Sequence, residues 1–450
     1  VMLALASFLA REVRWWVRHI LYFVRRALGL VLIAAALIWW FGDRVPSYIL
    51  VALAFTAATI RGWALLASSN WRARIEWPAR GVLSRLAFRW RWPTMAEACG
   101  LTQRDEVGDI VAPALRTVTC RWPWLRCEVK TLPGQKMGDF EAASEALRHA
   151  LGALHLRVEQ VAAAGVLLTF TMDDTLASPF ATPEPGIEAA ALEVVEVGRT
   201  EAGKPWNLPL GPHTLVAGCS GSGKGSVLWS FVLGLAPASH TGLVRLHGID
   251  LKGGMELLMG ARLFATTATT AAEAVALLEE LVEQMRKRTR RYAGHVRFHE
   301  PTVEDPFHVV VIDELAALTA YCTERDLLRR AELAINLLCS QGRAPGFMVF
   351  ACLQDPRKEV IPSRGLFTQM VGLRLKDVNE TAMVLGETAV TAGVHCHRIR
   401  RDAPGTGYVV PEDGGPPLRV RAGFASDEVV RAVADRFPAP PHEQVVEEPA

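Results

Sequence analysis

The chain has 450 residues, more than one ordinary domain holds, so two or three folded units are expected. A formal net charge of +2 excludes a protein drawn to polyanions by its overall charge, and leaves any nucleic-acid affinity to local patches. Half of the residues are hydrophobic and the mean hydropathy is +0.18, an excess that comes largely from the N-terminal end.

Residues 27–41 are apolar and uncharged, and 21–24 extend the run backward across Arg25 and Arg26. Gly42-Asp43-Arg44-Val45-Pro46 breaks it, and 48–60 and 62–67 resume it on either side of Arg61. A membrane helix needs about 20 mainly apolar residues, so each run spans a bilayer if its arginines snorkel at the ends. Trp15, Trp16, Trp39, Trp40, Trp63, Trp71 and Trp77 stand near the run ends, as interfacial aromatics do. Arginines crowd both outer flanks (Arg11, Arg14, Arg18, Arg25 and Arg26 before, Arg72, Arg74, Arg80, Arg85, Arg89 and Arg91 after), which puts both flanks in the cytoplasm. Residues 1–92 therefore read as a transmembrane helical hairpin and a basic juxtamembrane segment, multi-pass in the plasma membrane with the remainder cytoplasmic. A buried helical hairpin competes with this; a secretory signal fits poorly, because a second apolar run and a basic flank follow. Residues 72–93 mix tryptophan and arginine with little periodicity, and suit anionic lipid or a plain basic linker.

Residues 93–195 are expected to form a small α/β domain with a linker. Stretches 118–130 and 165–172 read as strands, and 139–154 as a helix with Phe140, Ala143, Leu147 and Leu151 on one face. Asp173-Asp174 reads as a solvated turn rather than a metal pair. Pro179, Pro183, Pro185 and Gly186 mark the linker. The eight cysteines form no CxxC pair, and most lie in apolar runs, as reduced buried thiols do. Cys120 and Cys127 flank a Trp-Pro-Trp stretch and leave a bridge open.

Strands and helices alternate through 196–437. The apolar run 215–217 leads into Gly218-Cys219-Ser220-Gly221-Ser222-Gly223-Lys224-Gly225-Ser226, and a helix-forming run, 227–233, leads out. Strand, glycine loop, lysine and helix is the order a phosphate cradle requires. Backbone N–H groups turn inward, the lysine reaches the outer phosphates, and the helix N-terminus adds its positive dipole end. One departure stands out: Gly225 occupies the position of the usual Ser/Thr, whose hydroxyl touches Mg²⁺, and Ser226 comes one place later, so metal ligation by Ser226 is an open expectation.

Further strands are expected at 243–246, 308–312, 347–353 and 370–375, with helices at 270–292 and 325–341, giving a largely parallel sheet covered on both faces. Asp313-Glu314 ends the apolar run 309–312 about ninety residues after the glycine loop. An acidic pair there offers Asp313 to Mg²⁺ and Glu314 as the base for an attacking water, against a helix cap as the plain alternative. Gln354 ends the strand 347–353, where a polar side chain senses a γ-phosphate or simply faces solvent. Arg286-Lys287-Arg288-Thr289-Arg290-Arg291 suits either a helix C-terminus or a phosphate-tracking patch. His395-Cys396-His397 lacks a further ligand at metal spacing nearby.

These residues resemble the FtsK/SpoIIIE family of membrane-anchored DNA pumps, with a particular likeness to the single-motor (TraB/TraSA-like) members of actinobacterial conjugative elements. The likeness rests on 218–226, Ile249-Asp250-Leu251-Lys252, 309–318 (VVVIDELAAL), Gln341-Gly342-Arg343-Ala344-Pro345-Gly346, Leu353-Gln354-Asp355-Pro356, Pro404-Gly405-Thr406-Gly407-Tyr408 and 421–429. The resemblance implies a RecA-like P-loop ATPase motor that assembles as a homo-hexamer around double-stranded DNA and moves it with ATP and Mg²⁺. It implies that Lys224 binds phosphates, Asp313 serves the metal, Glu314 activates water, Gln354 senses the γ-phosphate and Arg343 is the finger offered to a neighbouring subunit. The Pro/Glu-rich tail at 438–450 is expected to be disordered, with no winged-helix module for reading DNA sequence.

The leading reading is thus a membrane-anchored DNA translocase of conjugation. A chromosome-segregation pump is its nearest variant. Two other classes compete: a type VII (EccC-like) secretion ATPase, which usually strings several motors together, and a scaffold that binds nucleotide without turnover, kept open by Gly225.

Overall fold

The computed structural model describes residues 77–440 except 106, 184, 186–191, 321–323, 358–364 and 412–414. The two apolar runs and the tail beyond 440 lie outside the described residues. No helix among the described residues is long and apolar enough to cross a membrane. The chain divides into two units, Val1–Asp174 and Thr175–Ala450.

In the first unit, α1 (Trp77–Ala98) precedes a two-stranded ribbon of β1 (Gln103–Arg104) and β2 (Ile110–Val111). Then come β3 (Ala114–Arg121), β4 (Trp124–Lys130), α2 (Met137–Ala142), α3 (Ser144–Leu151), β5 (His155–Ala162) and β6 (Gly165–Thr171). The last four strands form an antiparallel sheet in the order β3-β4-β6-β5. Along β4, Leu125, Cys127 and Val129 alternate inward and pack with Phe88, Trp92 and Met95 of α1 and with Phe140 and Leu147. That alternation is the period of a sheet with one covered face.

Three expectations change here. Residues 118–130 make two strands rather than one, turning at Trp122-Pro123. The helix expected at 139–154 is two short helices, the second closed by Gly152 in the left-handed region, with strand β5 following. The aperiodic segment 72–93 is helical from Trp77 and buries Phe88, Trp92, Met95 and Ala96. Its arginines obscure a buried stripe that continues past Pro93, so this unit begins before the expected boundary at 93.

The second unit runs β7 (Val194–Thr200), β8 (Pro205–Pro209), β9 (Thr214–Ala217), α4 (Lys224–His240), β10 (Val244–Ile249), a 3-10 turn (Leu257–Leu263), β11 (Thr266–Ala268), α5 (Ala271–Tyr292) and β12 (Phe307–Ile312). It continues with α6 (Ala316–Thr319), α7 (Arg325–Gln341), β13 (Phe347–Leu353), β14 (Gln369–Gly372), α8 (Val378–Leu385), α9 (Glu387–Thr391), β15 (Thr406–Val409), β16 (Leu418–Ala422) and α10 (Asp427–Arg436). The ten strands pair in the order β11-β10-β12-β13-β9-β14-β15-β16-β7-β8. The half from β11 to β14 is parallel, and the rest is antiparallel. The sheet is therefore mixed, not largely parallel. Strands joined by short connections, such as β7 to β8, can only pair antiparallel, whereas parallel neighbours need the long helical crossovers seen in the first half.

Every residue of β12 is buried, because both faces of the parallel half are covered. Val309 and Val311 join the core beneath α4, where Phe231 stacks on Phe350 at 4.6 Å. Val310 and Ile312 join the core beneath α5 and α7. Residues 176–182 belong with this unit, not with the preceding linker: Arg421 donates to the carbonyls of Leu176 and Ala177, and Ala181 bridges Phe424.

Candidate nucleotide site

The parallel strands β9, β12 and β13 end on one edge of the sheet, the edge where such folds bind ligands. Four buried residues carry β9 between β13 and β14, and the chain then turns away at Gly218. Three separate segments fix the loop that follows. Gly218 N donates to Leu353 O at 2.9 Å, Cys219 N to Arg374 O at 2.9 Å, and Gly405 N to Ser222 O at 2.8 Å. Arg374 also donates through its guanidinium to Ser220 O at 2.9 Å.

Gly223 precedes α4 with φ +94°, and a Cβ there would lie 2.0 Å from Gly405 N. Only glycine fits. Lys224 opens α4 and folds over the loop, donating to Gly218 O at 2.8 Å. Burial pulls its pKa down, while Cys352, Glu314 and Asp313 oppose the shift and Lys252 reinforces it.

Asp313 and Glu314 follow β12, and both are more than nine-tenths buried. Glu314 Oε1 accepts the Gln354 N–H at 3.2 Å, which ties the acid strand to the adjacent strand β13. Burial raises the Glu314 pKa, and the Gln354 N–H and the charges of Lys252 and Lys224 oppose the rise. Glu314 Oε2 and Ser222 Oγ are buried without a hydrogen-bond partner.

The loop after β10 completes the site. Asp250, 2 % exposed, accepts Lys252 N through Oδ1, and Glu256 N and Leu257 N through Oδ2, at 2.8–3.2 Å. This folds residues 250–257 back over the strand end. Lys252 thereby reaches Asp313 Oδ2 at 2.7 Å and Glu314 Oε2 at 3.8 Å. Burial lowers the Lys252 pKa, but its bond to Asp313 and the nearby carboxylates outweigh that and hold it above the ordinary value. Glu256 is half-buried and accepts from Trp229 Nε1 at 2.9 Å. Burial and the charge of Asp313 raise its pKa against the Trp229 bond.

The structure thus brings together the loop 218–226, Asp313, Glu314 and Gln354. It sets Arg343 apart, just before β13 and electrostatically coupled to His213, which precedes β9. That is the opposite edge of the sheet from the loop. Ser226 is half-buried on α4 and turned about 100° from residue 225. Lys252 and Glu256 were not assigned roles from sequence, although the run Ile249 to Lys252 at a strand end was a usable signal. Arg374 had none.

Elsewhere, the basic run on α5 is divided. Arg288 is 6 % exposed and donates to Pro345 O and Pro306 O while pairing with Asp305, so it braces the fold. Arg286 and Lys287 are exposed. The seven described cysteines, Cys120 and Cys127 included, are free thiols.

The donor set suits a hard divalent cation, since Asp313, Glu314 and Glu256 offer only oxygen. Among the described residues no three His, Cys, Asp or Glu side chains form a metal cage. Mg²⁺ in phosphate sites needs none, because phosphates and water supply most of its ligands.

A buried strand opening into a glycine loop and helix, with two acids at the end of a strand two places along the sheet, defines a P-loop ATPase. The chain belongs to the FtsK/SpoIIIE family: residues 192–304 match that family, and residues 69–172 match the actinomycete conjugal transfer protein N-terminal domain. Transfer protein TraSA of Streptomyces ambofaciens is 26% identical over 381 residues, covering 74% of this chain and 87% of TraSA. A sporulation regulatory protein of Streptomyces azureus is 30% identical over 250 residues, covering 53% and 80%. DNA translocase FtsK of Lactococcus lactis subsp. cremoris is 25% identical over 354 residues, 68% of this chain but 42% of FtsK, so the match leaves most of FtsK unaccounted for. Among solved structures, the pCW3 conjugation coupling protein TcpA (monomer form with ATPγS) aligns with a TM-score of 0.46 and 20% identity, covering 80% of this chain and 99% of TcpA.

Proposed function

We propose that the chain is a RecA-like motor that hydrolyses ATP to move double-stranded DNA between cells in conjugation. The observation that carries the hydrolytic half is Glu314: a buried carboxylate with one oxygen fixed by the Gln354 N–H and the other without a hydrogen-bond partner, beside Lys224 and Asp313. A positioned base of raised pKa beside a phosphate cradle is what water activation requires. In this reading Lys224 leaves Gly218 O for the outer phosphates, Glu314 orients and deprotonates the attacking water, and Gln354 reports the γ-phosphate through the main-chain bond it makes to Glu314. Asp313 would hold Mg²⁺, which would supply charge neutralisation for the phosphates.

The name of DNA translocase FtsK supports DNA as cargo, and the match to the actinomycete conjugal transfer protein N-terminal domain supports conjugation as the setting. The N-terminal apolar runs support a plasma-membrane anchor, with the motor cytoplasmic. Arg343, on the edge of the sheet away from the loop of its own subunit, suits a finger given to a neighbour in a homo-hexamer, where it stabilises transition-state charge only after docking. DNA held through its backbone makes binding salt-sensitive and nearly sequence-blind.

The test is ATP turnover by the full chain with long duplex DNA, with a secreted peptide, and with neither. Stimulation by DNA that is lost in Lys224→Ala is expected. Stimulation by peptide alone would favour secretion, and no turnover at all would favour a scaffold.

A further inference from the structure

In P-loop proteins the residue after the lysine presents a hydroxyl to the metal, and this chain has glycine there. The structure gives the omission a physical reason. A Cβ on Gly225 would lie 2.7 Å from Glu256 Oε1 and 3.5 Å from its Cδ, so a carboxylate already fills the space beside that position. The carboxylate is held there from two sides: Trp229, one turn along the same helix, donates to Oε1, and Asp250 fixes the Glu256 main chain. Ser226 points about 100° away around α4 and does not cover the same spot. The pocket also faces a ligand on independent grounds, since Ser222 Oγ and Glu314 Oε2 are buried without hydrogen-bond partners.

We propose that Glu256 replaces the missing hydroxyl, supplying the oxygen that holds the divalent cation of the nucleotide site from the helix side while Asp313 holds it from the strand side. The inference rests on the nucleotide reading above. It makes Gly225 a requirement of the carboxylate and not a lesion in the loop. Trp229 and Asp250 then act as positioning residues, holding the carboxylate but not touching the cation.

The experiment measures two affinities of the full chain: a fluorescent ATP analogue in EDTA, and Mn²⁺, by its electron spin resonance, with the slowly hydrolysed analogue ATPγS present. Glu256→Gln keeps the Trp229 bond but not the charge. It is expected to leave the EDTA affinity unchanged and to weaken Mn²⁺ about 10–100-fold, as loss of a metal-supporting group does. Gly225→Ser alone brings its side chain against the carboxylate and gains nothing. The pair Gly225→Ser with Glu256→Ala restores Mn²⁺ affinity toward wild type. Wild-type Mn²⁺ affinity in Glu256→Gln overturns the proposal. So does failure of the double substitution to improve on Glu256→Ala, the deciding comparison if Glu256→Gln folds poorly. A wild-type chain that binds no analogue either with Mg²⁺ or in EDTA overturns the nucleotide reading itself, and this proposal with it.

Discussion

Lys252 Nζ lies 2.7 Å from Asp313 Oδ2 and 3.8 Å from Glu314 Oε2, so one ammonium bonds the first acid and stands near the second at the end of the strand. Lys252→Met would leave Asp313 without the ammonium it pairs with, and Glu314 with the more distant charge of Lys224. Hydrogen bonds to charged groups contribute about 1.5–3 kcal/mol, so ATP turnover is expected to fall about 10–100-fold. Binding of a fluorescent ATP analogue in EDTA is expected to change little. Unaltered turnover would show that Lys252 only decorates the site.

Arg343 and Lys224 lie on opposite edges of one sheet, and that separation makes a prediction about mixtures. Arg343→Ala is expected to bind nucleotide normally but to lose at least about 10³-fold in turnover, the lower end for a trans arginine. Lys224→Ala is expected to be inactive for want of phosphate contacts. Mixing the two inactive chains should restore measurable ATPase, because some interfaces then pair an intact loop with an intact arginine. Silent mixtures at every ratio would rule out action in trans.

Gly223→Ala tests the loop directly. Its φ of +94° and the 2.0 Å approach of Gly405 N leave no room for a methyl group. Strain of this kind is about 1–3 kcal/mol, small against a domain's core but enough to distort the cradle. Nucleotide affinity should fall steeply while the far-ultraviolet circular dichroism of the chain is preserved; retained affinity would contradict the geometry.

His213 supplies a pH dependence. Its ring is 3 % exposed and accepts the Val349 N–H through Nδ1 at 3.0 Å, so the fold requires the neutral form. Burial, reinforced by the charge of Arg343, pushes its pKa down to about 4. An unfolded histidine titrates near 6.5, so the unfolded chain takes up a proton that the fold refuses. The contribution to stability is whole above that value and is lost as pH falls toward 4. His299 and His308 are displaced in the same sense, mainly by burial. Between pH 7 and 5 the loss assigned to His213 is at most about 2 kcal/mol. His213→Gln should flatten the pH series of urea unfolding; parallel curves for the two proteins would remove His213 from the account.

Much of the parallel half was legible because its signals are local. The run 309–312 is apolar throughout, as burial on both faces demands, and it delivers Asp313 and Glu314 to the edge where the glycine loop opens. Thr270 and Glu273 reciprocally cap α5, a four-residue signal that the chain carries openly. What escaped reading was long-range. Pairing of β16 with β7 joins residues more than 200 positions apart, and nothing local announces it. Helix α1 was obscured because arginines interrupt its hydrophobic stripe, although Phe88 and Trp92 are almost wholly buried. Glu256 was invisible for a related reason: its importance lies in facing Gly225, 31 residues earlier, and an absent side chain leaves no mark in composition.

The main-chain bonds from Leu353, Arg374 and Gly405 hold the loop 218–226 in shape before anything binds. In the proposed reading a triphosphate arriving there would meet a loop already shaped, and little ordering entropy would be subtracted from its affinity. Under the proposed hydrolytic reading, discrimination between spent and fresh nucleotide would come from the other wall of the pocket, where Lys252 and Glu314 lie and Gln354 is bonded to Glu314. Substitutions on that wall should shift the ratio of ADP to ATP affinity, whereas substitutions in the loop should weaken both alike.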